Sequence, residues 1–137
     1  MPRPRPDTVL DAAAVALAAA DPTWRILDAR ASDRYLGLNE TIDAVAGHIP
    51  GARSAPWMDL IDDAGRLRSP ENLLEHYRGL LGDVPAERAV VYCGSGVTSS
   101  LHVLAMCRAG LGPARLYVGS WSDWITDPSR PVATGTL

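Results

Sequence analysis

Lysine, glutamine and phenylalanine are absent from this chain, and cysteine occurs only twice. No apolar run approaches the roughly 20 residues that a membrane-spanning helix needs, so no membrane is expected among its partners. All formal positive charge resides in arginine, 13 residues against 16 Asp and Glu for a net charge of -3. Without a clustered basic face, nucleic acid is not an expected partner either. Cys93, Cys107, His48, His76 and His102 fall without C-x-x-C or H-x-x-x-H spacing. That pattern signals neither a zinc site nor a disulfide framework, and no metal or cofactor is expected. What is present is an ordinary globular composition, 47% apolar and 21% charged over 137 residues, enough for one domain with its own core.

Two arginines ahead of an alanine-rich stretch make residues 1–20 look superficially like a secretory signal, but Asp7 and Asp11 interrupt it and alanine replaces the usual leucines. A cytoplasmic location is therefore expected. Residues 1–7 read as an extended linker or flexible tail, and residues 8–137 as one domain. An amphipathic helix is predicted from Val9 to Ala19, with Thr8 or Asp11 near its start, then a buried strand over Trp24–Asp28 and a short helix over Ala31–Leu36. Gly37–Pro56 reads as loop, with a brief extended piece at Arg53–Ala55. Ser69-Pro70-Glu71 is a helix start, and Leu73, Leu74, Tyr77, Leu80 and Leu81 follow at helical spacing until Gly82. Ala89-Val90-Val91-Tyr92 is a β-branched strand, a helix runs over Ser99–Ala109 to Gly110, and another strand covers Arg115–Val118. Trp121, Trp124 and Ile125 suggest a last short helix. Alternating strands and helices predict an α/β domain with a mainly parallel sheet.

Cys93 stands where a strand gives way to a glycine-rich turn and a helix, at the carboxyl edge of the predicted sheet, where open α/β folds place their sites. Gly94 and Gly96 allow successive backbone N–H groups to turn toward the sulfur, and the following helix adds its positive end. Both favour the thiolate, the reactive form, and so a lowered pKa and a nucleophile near neutral pH. The alternative is a buried structural cysteine beside a turn. Cys107, mid-helix among Val103, Leu104 and Met106, reads as a core residue, with a resolving thiol as the alternative. A cysteine-based phosphatase would need an arginine six residues after the cysteine, and that position is Ser99. The short, uncharged loop better suits sulfur transfer, in which the same N–H groups stabilise a persulfide anion.

Four separated motifs carry a family resemblance: Leu27-Asp28-Ala29-Arg30 with Arg34-Tyr35; Gly47-His48-Ile49-Pro50-Gly51-Ala52; Cys93-Gly94-Ser95-Gly96-Val97-Thr98; and Gly119-Ser120-Trp121 with Trp124. In this order the chain resembles the rhodanese-like sulfurtransferases from about Val9 to Ala133, and specifically their C-terminal catalytic domain. The resemblance implies the rhodanese-like fold and a Cys93 nucleophile. Its loop wording is similar to that of 3-mercaptopyruvate sulfurtransferases, whereas thiosulfate users carry a cationic pair where this chain has Gly94 and Ser95. It further implies that Cys93 takes a sulfane sulfur from a small-molecule donor and passes it to cyanide or to a thiol acceptor such as thioredoxin. Arg34 would meet the anionic substrate, Ser95 and Thr98 would offer hydroxyls, and Gly94, Gly96 and Val97 would offer backbone N–H groups. For Arg34 the alternative is a solvated loop residue. Arg30 is expected to brace the loop by pairing with Asp28, His48 to be structural, and Trp121 and Trp124 to line core or pocket.

Two departures stand beside the resemblance. A further arginine, nine residues beyond the match to Arg34, is replaced by Asp43. Such enzymes also contain two tandem domains, so an N-terminal rhodanese-like domain is an expected missing partner, and the chain reads as a fragment, a truncated product or a single-domain enzyme. Thiosulfate:cyanide sulfur transfer is the competing activity, and a non-catalytic rhodanese-like binding module the competing class.

Overall fold

The computed structural model describes residues 9–38, 40, 44–94 and 98–135. The order is α1 (Ala12–Ala19), β1 (Arg25–Asp28), α2 (Ser32–Leu36), β2 (Arg53–Ser54), α3 (Pro70–Leu81), β3 (Ala89–Tyr92), α4 (Ser99–Arg108), β4 (Arg115–Leu116) and α5 (Ser120–Trp124). Single 3-10 turns at Trp57–Leu60 and Ala86–Arg88 were not foreseen from the sequence; three or four residues are too short to show a period.

The sheet order is β2-β1-β3-β4, with every neighbouring pair parallel. Side chains alternate across a strand, so Ile26, Val90 and Tyr92 enter one core while Leu27, Ala89 and Val91 enter the other. Val15 of α1, Tyr35 of α2 and Trp121 and Trp124 of α5 fill the first. Leu73, Tyr77 and Leu81 of α3 and Ala105 and Met106 of α4 fill the second. With apolar layers on both faces, β3 is buried at all four positions, as a near-continuous apolar run in a parallel sheet should be. The expected α/β architecture is the one observed.

Local signals account for most boundaries. Ser69 Oγ accepts from Asn72 N at 3.2 Å and Pro70 opens α3, as the cap and proline predict. The first helix begins later than expected. Asp11 caps it by accepting from Ala14 N, while Val9 forms a bridge with Leu116 and Leu10 N donates to Leu116 O at 2.9 Å. Thr8 and the tail at residues 1–7 lie outside the described residues.

Cys107 corrects the expectation of a core residue, for it is exposed on α4. Buried Ser99, His102, Ala105 and Met106 set the inward face, leaving Leu104 and Cys107 outward. Inward His102 packs between α3 and the segment after β2. Its Nε2 is 2.7 Å from Ala55 O and its Nδ1 2.8 Å from Tyr77 Oη. A carbonyl only accepts, so Nε2 carries the proton and Nδ1 accepts from the tyrosine hydroxyl. Burial pulls the His102 pKa down from 6.5 to about 4. In the unfolded chain the ring takes up its proton near 6.5, so between these values the unfolded state binds a proton that the folded state refuses. Stability is expected to fall as pH drops through that window, by roughly 3 kcal/mol for this group. Urea melts from pH 7 to pH 4 on wild type and His102→Gln check this: the loss should be clearly shallower in the variant, and equal slopes would remove His102 as its source.

Candidate active site

Parallel pairing places Asp28 opposite Tyr92 at the carboxyl ends of the two central strands, and Cys93 is the next residue. Beneath it lies a buried ionic cluster. Arg30, 2% exposed, pairs with fully buried Asp28 through Nη2 to Oδ2 at 2.6 Å and Nε to Oδ1 at 3.0 Å. Tyr92 Oη donates to the same carboxylate at 2.7 Å and accepts from Ile49 N at 3.1 Å. Arg30 also donates to Gly47 O, and its guanidinium lies 4.7 Å over the Trp121 ring. Burial works against the Arg30 charge, but the hydrogen bond and attraction of Asp28 outweigh it and its pKa is raised. The expected Asp28–Arg30 pair is found, and it ties β1, the Gly47–Ala52 turn and α5 together.

That turn is fixed sterically as well. Gly47 has φ +120, and a Cβ there would run into the Ala133 carbonyl oxygen. His48, fully buried, stacks on Tyr35 with centroids 3.7 Å apart and donates from Nδ1 to Tyr35 O at 2.6 Å. It is structural, as expected, and Trp121 and Trp124 are core.

Cys93, 2% exposed, is held by the start of α5. Cys93 N donates to Ser120 Oγ at 3.0 Å, Trp121 N donates to Cys93 O at 2.9 Å, and Ser122 N donates to Gly94 O at 3.0 Å. Ser122 Oγ donates to Gly94 O too. Because a trans peptide sets its C=O and N–H on opposite sides, anchoring Cys93 O to α5 turns Gly94 N–H away from α5. Gly119 leaves room for the Asp123 side chain that folds back over the start of α5, since a Cβ there would lie 2.6 Å from Asp123 Cβ.

Arg34, on α2, reaches the same place. Its Nη1 lies 3.4 Å from where a Cβ on Gly94 would stand, so nucleophile loop and guanidinium meet. Glu40 sits between two arginines, 3.4 Å from Arg34 Nε and 3.8 Å from Arg30 Nη1. Thr98 lies at the entrance to α4 without a side-chain cap bond. Ser95, Gly96 and Val97, and Asp43, lie outside the described residues. Among the described residues, no cluster of three His, Cys, Asp or Glu side chains is assembled that would hold a metal ion.

Sequence reasoning missed Glu40 and the serines. Gly119-Ser120-Trp121 was noticed as a motif, but no role followed for the hydroxyls, whose partners are 27 and 28 residues away in the chain. The available signal was topological: β4 lies beside β3 in a parallel sheet, so residues just after β4 meet those just after β3.

The chain is 47% identical over 133 residues to a Pseudomonas aeruginosa protein named "Probable 3-mercaptopyruvate sulfurtransferase", covering 97% of this chain and 47% of that protein. It is 34% identical to the thiosulfate sulfurtransferase of Rattus norvegicus, over 82% of this chain and 39% of the relative. The chain thus spans less than half the length of these curated relatives. The fold matches the anaerobic ergothioneine biosynthesis enzyme from Chlorobium limicola, with a TM-score of 0.81 and 24% identity over 97% of this chain and 33% of that one. The pattern of the rhodanese-like domain matches residues 11–127, spanning every strand and helix described above, and the chain belongs to the rhodanese-like domain family.

Proposed function

We propose that this domain carries a sulfurtransferase activity that moves a sulfane sulfur from 3-mercaptopyruvate to a thiol or cyanide through a persulfide on Cys93. The observation that carries it is the convergence of Cys93, at the carboxyl end of β3, with the Arg34 guanidinium over Gly94. A nucleophilic sulfur beside a planar cation suits a small donor that is itself an anion. The Cys93 thiolate attacks the donor sulfur. The C–S electron pair passes to the donor carbon, and pyruvate leaves after taking a proton there. An acceptor thiolate, or cyanide, then attacks the outer sulfur of the persulfide and returns Cys93 as thiolate. Atoms and electrons balance with no added oxidant. A thiol acceptor such as thioredoxin belongs to the same reading, as does a second rhodanese-like domain completing the pocket, which the greater length of the relatives supports.

Thiosulfate as donor is the second reading, supported by Arg34 and by the name of the rat relative. A side-by-side assay of the purified chain with each donor, following pyruvate or thiocyanate and the mass of the Cys93 peptide, tests both. Mercaptopyruvate is expected to add one sulfur to Cys93 and thiosulfate to do so poorly; the reverse preference establishes the second reading, and no loading from either donor overturns both. Arg34→Met is expected to raise KM for the anionic donor by about 10- to 100-fold, the worth of one charge-assisted hydrogen bond, with a smaller change in kcat. An unchanged KM would take Arg34 out of donor binding and leave it a partner of Glu40 on α2.

A further inference from the structure

Ser120 combines three features that the reaction scheme above does not use. It is fully buried, its φ of 57 is the single left-handed value among the described non-glycine residues, and its Oγ lies 4.0 Å from Cys93 Sγ. A left-handed backbone at a non-glycine residue costs energy and is retained where something holds or needs it. Here it turns the hydroxyl back toward the cysteine. Oγ accepts from Cys93 N at 3.0 Å and is 2.8 Å from Tyr117 O. A carbonyl only accepts, so the single hydroxyl hydrogen points at Tyr117 O when Cys93 is a neutral thiol.

We propose that Ser120 is a hydrogen-bond donor to the anionic sulfur of Cys93, swinging its one hydrogen from Tyr117 O to Sγ when the thiol ionises or carries a persulfide. A hydroxyl rotates with little resistance, and a charged acceptor outbids a neutral carbonyl because charge-assisted hydrogen bonds are about twice as strong. The acceptor role toward Cys93 N uses a lone pair and survives the swing, so the backbone hold on the cysteine is kept while the donor is reassigned. Tyr117 O gives up its contact with the hydroxyl. No bond to sulfur forms or breaks in this step. Other charges near this corner are the Arg34 guanidinium beside Gly94, the Asp28–Arg30 pair at the end of β1, and Asp123 on α5, which accepts from Tyr117 Oη at 2.5 Å. Ser120 can redirect its donor at the sulfur without breaking an ion pair.

The inference rests on Cys93 as nucleophile but not on the identity of the donor, and its test uses none. In a Cys107→Ser background, thiolate absorbance is titrated against pH, with Cys93→Ser/Cys107→Ser as blank, and thermal melting is recorded in parallel. Ser120→Ala and Ser120→Gly both remove the hydroxyl, and glycine also relieves the left-handed backbone. Ser120→Thr keeps the hydroxyl but strains a buried, β-branched side chain. The thiolate midpoint is expected to rise by about one pH unit in Ser120→Ala and Ser120→Gly and to stay at the parent value in Ser120→Thr, even though the threonine protein melts lowest. A midpoint unchanged in the alanine and glycine variants overturns the proposal. So does a midpoint that tracks melting temperature across all three, because Ser120 would then act only through the fold. Failure of both donors to load Cys93, with these midpoint shifts intact, would count against the substrate reading alone.

Discussion

Cys93→Ser is expected to fold as the wild type does and to lose sulfur transfer by at least about a thousandfold. The backbone bonds that hold this position, from Cys93 N to Ser120 and from Trp121 N to Cys93 O, involve main-chain atoms that the substitution leaves alone. A serine hydroxyl nearly fills the space of the thiol, so stability should stay within about 1 kcal/mol. Chemistry, by contrast, has no substitute. A serine oxygen is scarcely ionised at neutral pH and forms no persulfide, and exposed Cys107 stands on the outer face of α4. Transfer assays with the variant, paired with urea unfolding, decide the matter: retained turnover in a folded protein would remove Cys93 from its role.

The second large effect belongs to the ion pair beneath the site. Arg30→Met is expected to destabilise the domain by about 3–5 kcal/mol, since removing one partner leaves Asp28 buried with a charge and only Tyr92 and a backbone N–H to satisfy it. Against a total stability of roughly 5–15 kcal/mol, that is enough to unfold a fraction of the molecules. Arg30 also supports the Gly47 carbonyl and lies over Trp121, whose amide holds Cys93 O, so the loss reaches the nucleophile's anchor. The double variant Asp28→Asn/Arg30→Met should be more stable than Arg30→Met alone, because the stranded charge is gone. Urea unfolding of wild type, single and double variants measures this cycle. A single variant within 1 kcal/mol of wild type would show the pair to be dispensable.

Much of this was legible in the sequence because local chemistry determined it. The Ser69 cap, the Pro70 start and the β-branched strand before Cys93 state their conformations directly, and Asp28–Arg30 lie two residues apart on a strand exit where a pair can close. Arg34 was placed by its motif. Harder to read was α4, whose apolar residues surround the helix, so periodicity chose no face. The inward stripe carries Ser99 and His102, polar residues that pattern arguments send outward, and Cys107 was misplaced in consequence. Ser120 and Ser122 remained silent because their partners are long-range. Their function depends on which strands are neighbours, which neither serine's local sequence states.

The sheet's outer strands have a further consequence. β2 and β4 are each two residues long and each begins with arginine, with Pro56 soon after one and Pro113 shortly before the other. Exposed sheet edges are templates on which other chains can add strands and build aggregates, and brevity, charge and proline are what discourage them. The far side of β4 is further occupied by the Val9 bridge. Among the described residues β1 and β3 pair with each other at all four positions and each has a short parallel strand on its outer side, so the apolar strand leading to the cysteine lies inside the sheet and not at its edge.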